Sequence, residues 1–200
     1  MERKQLKKVS YSLRVGLIGT DTSGKEVLLN YLENISIEKN SSKGNFEVLL
    51  LYKEIPIKFK VFCTENLKNT ILTENIKFGK LDVLILCVNL NDLSSLKQFS
   101  KEIYEEFRQF FLFQGSSVLV GIDIHKIKTG KSLNQLRISR FNLIKKAKEL
   151  DLLYCFEIHN KTRDVRDIYN NILDDYIFKF KNSNPELFEQ AKNYGKTLLK

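Results

Sequence analysis

Short apolar runs alternate with stretches of helical periodicity along the whole chain, which is the pattern of an α/β layer fold. "LRVGLIG" (13–19) reads as a strand, and beyond a glycine-containing turn "KEVLLNYLEN" reads as a helix. "NFEVLLLYKE" and "IPIKFKVFC" read as two strands joined by a tight reversal at 53–56. In the second, Ile57, Phe59 and Val61 alternate with Lys58 and Lys60, so the pair predicts an antiparallel hairpin at one sheet edge. "LDVLILCVNL" (81–90) is apolar throughout, as a parallel strand covered on both faces must be, and belongs mid-sheet. A helix through "LKQFSKEIYEEFRQFF", a strand "SSVLVGIDI", a helix "LNQLRISRFNLIKKAKEL", a strand "YCFEIH" and a helix "VRDIYNNILDDYIFKF" follow. The stretch 67–78 reads either as a weak helix or as a loop. "SNPELFEQAKNYG" carries helix-start signals at Asn184 and Pro185 and a stop at Gly195. The expected architecture is a mostly parallel six-stranded sheet with one antiparallel edge hairpin and helices on both faces. It spans 13–181, after a basic tail (1–12) and before a short helical extension (182–200).

Two hundred residues, 42% hydrophobic and 11% aromatic, suit one domain with one well-filled core. No apolar run approaches the roughly 20 residues of a membrane-spanning helix, and the start "MERKQLKKVS" lacks the apolar stretch of a secretion signal. A cytoplasmic chain is therefore expected, with any membrane contact peripheral. Glu2 in place of glycine, and the absence of cysteine from "NYGKTLLK", predict no lipid attachment. Cys63, Cys87 and Cys155 each sit in an apolar run without metal or redox spacing, so buried thiols are expected.

The net charge of +9 is concentrated. Lys126, Lys128, Lys131, Arg137, Arg140, Lys145, Lys146 and Lys148 fall in one segment without an acid, and Arg3, Lys4, Lys7 and Lys8 form a smaller group. The segment is either a docking site for an anionic membrane surface or a solvated helix face, with nucleic acid the less favoured partner.

The candidate chemistry lies in "GTDTSGKE": Gly19, Thr20, Asp21, Thr22, Ser23, Gly24, Lys25 and Glu26. Strand, glycine–lysine loop and helix in that order form a phosphate cradle, because backbone N–H groups at a helix amino terminus attract an anion and the lysine reaches its oxygens. A tight turn that holds no ligand explains the glycines equally well.

With the order of elements, this loop resembles that of the Ras superfamily of small GTPases, a P-loop NTPase fold. Counted without gaps, the DxxG slot falls on "CTEN" (63–66) and the NKxD slot on "IDIH" (122–125); with about eight extra residues allowed after the fifth strand, in the basic segment, the SAK slot falls on "HNK" (159–161), so the resemblance runs from about Leu13 to Ile177. It implies a GTP- or GDP-binding switch or adaptor in signalling or trafficking, with protein effectors or regulators as partners. Asp123, His125, Asn160 and Lys161 would then stand near the base, and Ser41, Ser42 and Thr64 in the switch regions.

The departures bear on the chemistry. Glu26 replaces the hydroxyl that holds Mg²⁺, so it either takes the metal itself or repels the phosphates; at ~5 Å and a dielectric near 20 that repulsion is about 3 kcal/mol, roughly a hundredfold in affinity. "CTEN" lacks the metal-holding aspartate and the γ-phosphate-sensing glycine, and Leu67 replaces the water-positioning glutamine. Weak or no hydrolysis is therefore expected, with no catalytic residue assigned, and a nucleotide-free scaffold is the alternative. His125 in the guanine-reading position and Ile122 for the asparagine weaken base selection, and His125 and His159 read as ordinary loop residues rather than metal ligands.

Overall fold

A computed structural model describes residues 10–42, 45–72, 80–131, 137–152 and 154–199, without the side chains of 40–42 and 45. The basic group Arg3, Lys4, Lys7 and Lys8 lies outside the described residues. The chain is α/β: strands β1 (Tyr11–Ile18), β2 (Glu38–Ser42), β3 (Asn45–Tyr52), β4 (Ile55–Thr64), β5 (Val83–Asn89), β6 (Ser116–Ile122) and β7 (Tyr154–Ile158) form one sheet in the order β2-β3-β4-β1-β5-β6-β7. Neighbours are parallel except β2 with β3 and β3 with β4, so β3 alone runs against the other six.

β5 shows why the apolar run belongs in the middle. Val83, Ile85 and Cys87 enter one core with Leu28 and Leu32 of α1 (Glu26–Ile35) and Val165, Ile168 and Tyr169 of α7 (Arg163–Ser183). Leu84, Leu86 and Val88 enter the other, with Leu67 of α2 (Leu67–Leu72), Phe107 of α4 (Lys101–Phe110) and Leu143 of α6 (Arg140–Glu149). A strand with a helical layer on each side cannot alternate apolar with polar.

Four expectations need correction. The sheet has seven strands, because the polar "EKNSS" pairs through its backbone with β3, Glu38 opposite Leu49 and Ser42 opposite Asn45. The hairpin of β3 and β4 forms as expected, with Lys53 and Glu54 at φ 50° and 66° in its two-residue turn, but β2 covers it and is the true edge. The helix expected across "LKQFSKEIYEEFRQFF" breaks into α3 (Ser94–Lys97) and α4, because Ser100 turns extended and its hydroxyl accepts from the Ile103 N–H to cap the second piece. Gly195 lies inside α8 (Pro185–Leu198) rather than ending it; a Cβ there would collide with the Glu54 carbonyl, so the glycine lets α8 lie against the hairpin turn.

α6 likewise begins only at Arg140, capped reciprocally by Ser139 and Asn142, and 132–136 of the expected longer helix lie outside the described residues. Of 67–78, Leu67–Leu72 is helical and 73–79 lie outside the description. A short helix, α5 (Ile124–Thr129), follows β6 directly.

Candidate functional site

Because β1, β4, β5, β6 and β7 are mutually parallel, their carboxyl ends share one rim, where ligands of open α/β sheets bind. The loop 19–25 follows β1 there, where the chain turns towards β2 while β5 leads the opposite way to β6. Two glycines shape it. A Cβ on Gly19 would come within 2.6 Å of Ser23 Oγ and 2.8 Å of the Cys87 carbonyl, and Gly24 adopts φ 83° against Ile122 and Ile124.

Asp21, Thr22 and Ser23 wind into one 3₁₀ turn, closed by the Ser23 N–H on the Thr20 carbonyl at 2.9 Å, and α1 starts at Glu26. Among the described residues, the N–H groups of Thr22, Gly24, Lys25 and Glu26 donate to no protein acceptor. Lys25, its side chain 13% exposed, bends back towards the start of the loop: Nζ donates to the Gly19 carbonyl at 2.5 Å and lies 3.4 Å from Asp21 Oδ1. Ser23 is fully buried, and among the described residues its hydroxyl finds no partner. Four donors without a protein acceptor, a helix amino terminus and an ammonium group thus belong to one short loop, which is an electrostatic setting that favours an anion. Glu26, exposed in the first turn of α1, puts a carboxylate in the same field.

The slots beside the loop are structural. Thr64 ends β4; its carbonyl accepts the Gly19 N–H at 3.1 Å, and its hydroxyl accepts from Thr70. Asn66 caps α2 by accepting the Asn69 N–H at 2.8 Å. Leu67 is fully buried in the second core. Ser41 and Ser42 stand opposite Phe46 and Asn45 in β2, and their side chains lie outside the described residues.

Across the rim, three of the positions expected near a base, Asp123, His125 and Asn160, are each bonded to neighbouring protein groups. Asp123, 1% exposed, caps α5: Oδ1 accepts the Lys126 N–H at 3.0 Å and Asn91 Nδ2 at 3.4 Å, and Oδ2 faces His159 Nδ1 at 3.4 Å. The other nitrogen of His159 meets Glu157 Oε2 at 3.0 Å, and Glu157 also lies 3.8 Å from Arg140. His125 turns outward, its Nδ1 3.0 Å from the Lys131 carbonyl, while its N–H donates to Asn91. Asn160 accepts from the N–H groups of Thr162 and Arg163 at the start of α7, and Lys161 is exposed. Among the described residues no group of histidine, cysteine and carboxylate side chains has metal-holding geometry. Sequence reasoning missed Glu157, His159 and Asn91 as a unit; the readable signal was Glu157 and His159 two apart at the end of a strand, which puts both on one side.

The cysteines follow their depth. Cys87 is fully buried and Cys155 half-buried, its thiol pushed up to about 11 by burial. Cys63 corrects the expectation of a buried thiol, because it is the penultimate residue of β4 and reaches the rim, where it is exposed. A cleft of about 570 Å³ opens at the other end of the sheet, beside Tyr11, Asp82, Ser116, Tyr176 and Lys179. Lys179 is paired there with Asp175, and burial raises the Asp82 carboxyl, so the cleft offers little to an anion. The chain matches no protein-family model, and no curated protein matches it.

Proposed function

We propose that the chain is a Ras-like P-loop module that holds the phosphates of a nucleotide, GTP or GDP in the first place, in the loop 19–25. It would act as a switch or adaptor towards protein partners, with weak or no hydrolysis. The observation that carries this reading is the set of N–H groups of Thr22, Gly24, Lys25 and Glu26, unpaired among the described residues, in the loop whose Lys25 ammonium folds back onto the Gly19 carbonyl. The first N–H groups of a helix have no intrahelical partner, and here they adjoin the buried Gly24, so the loop has capacity for an acceptor. The sheet order around β1 supports the fold assignment. A fully buried Leu67 and an Asn66 whose side chain is engaged in capping α2 support slow chemistry, since neither positions a water or senses a γ-phosphate. The matched carboxylate of Asp123 supports a site that grips phosphate and discriminates little between bases.

One observation favours a second reading, a nucleotide-free scaffold: Lys25 already has acceptors in Gly19 and Asp21. Calorimetric titration with tripolyphosphate, GTP, GDP and ATP, with and without Mg²⁺, separates the two. The nucleotide reading expects GTP and ATP to bind within about threefold of each other, a difference under 1 kcal/mol. It also expects Lys25→Ala to lose about a hundredfold or more, together with the thermal stabilisation that ligand confers. No heat from any of the four at near-millimolar concentration leaves the scaffold.

A further inference from the structure

The basic segment acquires a defined surface in α6. Leu143 and Ala147 point into the core at 0% and 5% exposure, which turns Phe141, Ile144, Lys145 and Lys148 outward together. Phe141 is 74% exposed and Ile144 38%, so the helix carries apolar side chains on its solvent side as well as its core side. Neutralised cations lie elsewhere on it: Lys146 pairs with Glu149 and is also near Glu102 of α4, and Arg140 pairs with Glu157. Among the described residues Lys145 and Lys148 form no ion pair, and neither do Lys126, Lys128 and Lys131 at the β6 end of the same rim from which α6 starts.

We infer that the outer face of α6 docks on the surface of an anionic lipid bilayer, with Lys145 and Lys148 against the headgroups and Phe141 and Ile144 seated at the acyl boundary. Two features select lipid over other polyanions. Lys145 and Lys148, unpaired among the described residues on a helix whose one acid, Glu149, is engaged by Lys146, call for a dense negative surface. A phosphate backbone would satisfy the lysines but leave Ile144, which has no flat face for a base, in water; a bilayer interface takes both kinds of side chain at once. Among the described residues no helix is long and apolar enough to cross a membrane, so the contact is peripheral. This inference does not depend on nucleotide binding.

The test is co-sedimentation of the full chain with phosphatidylcholine vesicles with and without phosphatidylserine. Partition onto the phosphatidylserine vesicles alone is expected, falling as salt rises from about 0.1 M to about 0.5 M. Lys145→Gln with Lys148→Gln should weaken it about thirtyfold, roughly fivefold per cation. Phe141→Ala should weaken it about tenfold without altering the salt dependence, since it removes only apolar burial. All three positions are exposed, so the variants are expected to fold, and unchanged circular dichroism checks this. Equal partition on both vesicle types, no effect of the lysine pair, or an unaffected Phe141→Ala with competition by a single-stranded oligonucleotide overturns the proposal.

Discussion

The two halves of the rim are built on opposite principles. After β1, among the described residues, the N–H groups of Thr22, Gly24, Lys25 and Glu26 are unmatched and Ser23 keeps a buried hydroxyl without a partner. After β6 and β7, Asn91, Asp123, His159 and Glu157 form a connected chain of bonds, and Asp123 and Asn160 satisfy the starts of two helices. An unmatched group in a protein costs free energy that only a ligand or water can recover, whereas a matched network gains nothing from opening. The loop is therefore where an added acceptor would be stabilised, and the β6–β7 side is architecture that would have to be broken before it recognised anything.

The strongest way to break that contrast is to remove the keystone of the closed side. Asp123→Ala deletes a helix cap and strips partners from the Lys126 N–H, Asn91 and His159. A cap is worth about 1 kcal/mol and each stranded half-buried group adds to it, so a loss of about 2–3 kcal/mol is expected. Differential scanning calorimetry should show a midpoint lower by roughly 5–10 °C for a chain of this size. Tripolyphosphate affinity should stay within about twofold; a tenfold loss would mean that the two halves act as one site.

A smaller effect tests the open side. Glu26 lies in the first turn of α1, where its charge is favourable to the helix and unfavourable to a phosphate for the same reason. Because the side chain is exposed, screening cuts the in-line repulsion to about 1–2 kcal/mol, so Glu26→Ser and Glu26→Gln should each raise triphosphate affinity about tenfold. A further gain confined to the serine variant in Mg²⁺ would assign metal coordination to that hydroxyl. No gain from either variant would place the carboxylate outside the field of the bound anion.

What the sequence could and could not disclose follows from what held each element in place. β5 was readable because burial on both faces demands an unbroken apolar run, and the loop because φ 83° at Gly24 and the close approach at Gly19 demand glycine. β2 was not, since "EKNSS" has no apolar alternation and is held by backbone pairing to β3. The break at Ser100 was hidden because helical periodicity runs straight across it, although a serine three residues before Ile103 is a capping signal. Gly195 misled because the same residue ends helices and lets them approach a neighbouring backbone, and only the Glu54 carbonyl decides between these. The loop's chemistry could be named from residue types, but the closure of the opposite side rests on contacts between residues 32–36 positions apart, Asn91 with Asp123 and Asp123 with His159, which no local pattern encodes.

Cys63 supplies the finest probe of the comparison, because it sits at the rim and senses Lys25. The residue is exposed by area, yet the protein around its thiol is dense enough that desolvation raises the pKa, with the Lys25 ammonium pulling the other way. Alkylation by iodoacetamide requires the thiolate, so its rate should climb through pH 9 and beyond, while Cys87, fully buried and pushed higher still, stays protected. A polyphosphate that engages Lys25 removes the one influence lowering the Cys63 pKa. The thiolate fraction at pH 8 then falls, and alkylation should slow about two- to threefold. If the cause is electrostatic, the rate–pH curve shifts to higher pH with its plateau unchanged, and Lys25→Ala reproduces the shift without ligand. A lowered plateau with an unshifted curve would instead mean that the ligand covers the thiol, and an unaltered curve that the anion is not held by Lys25.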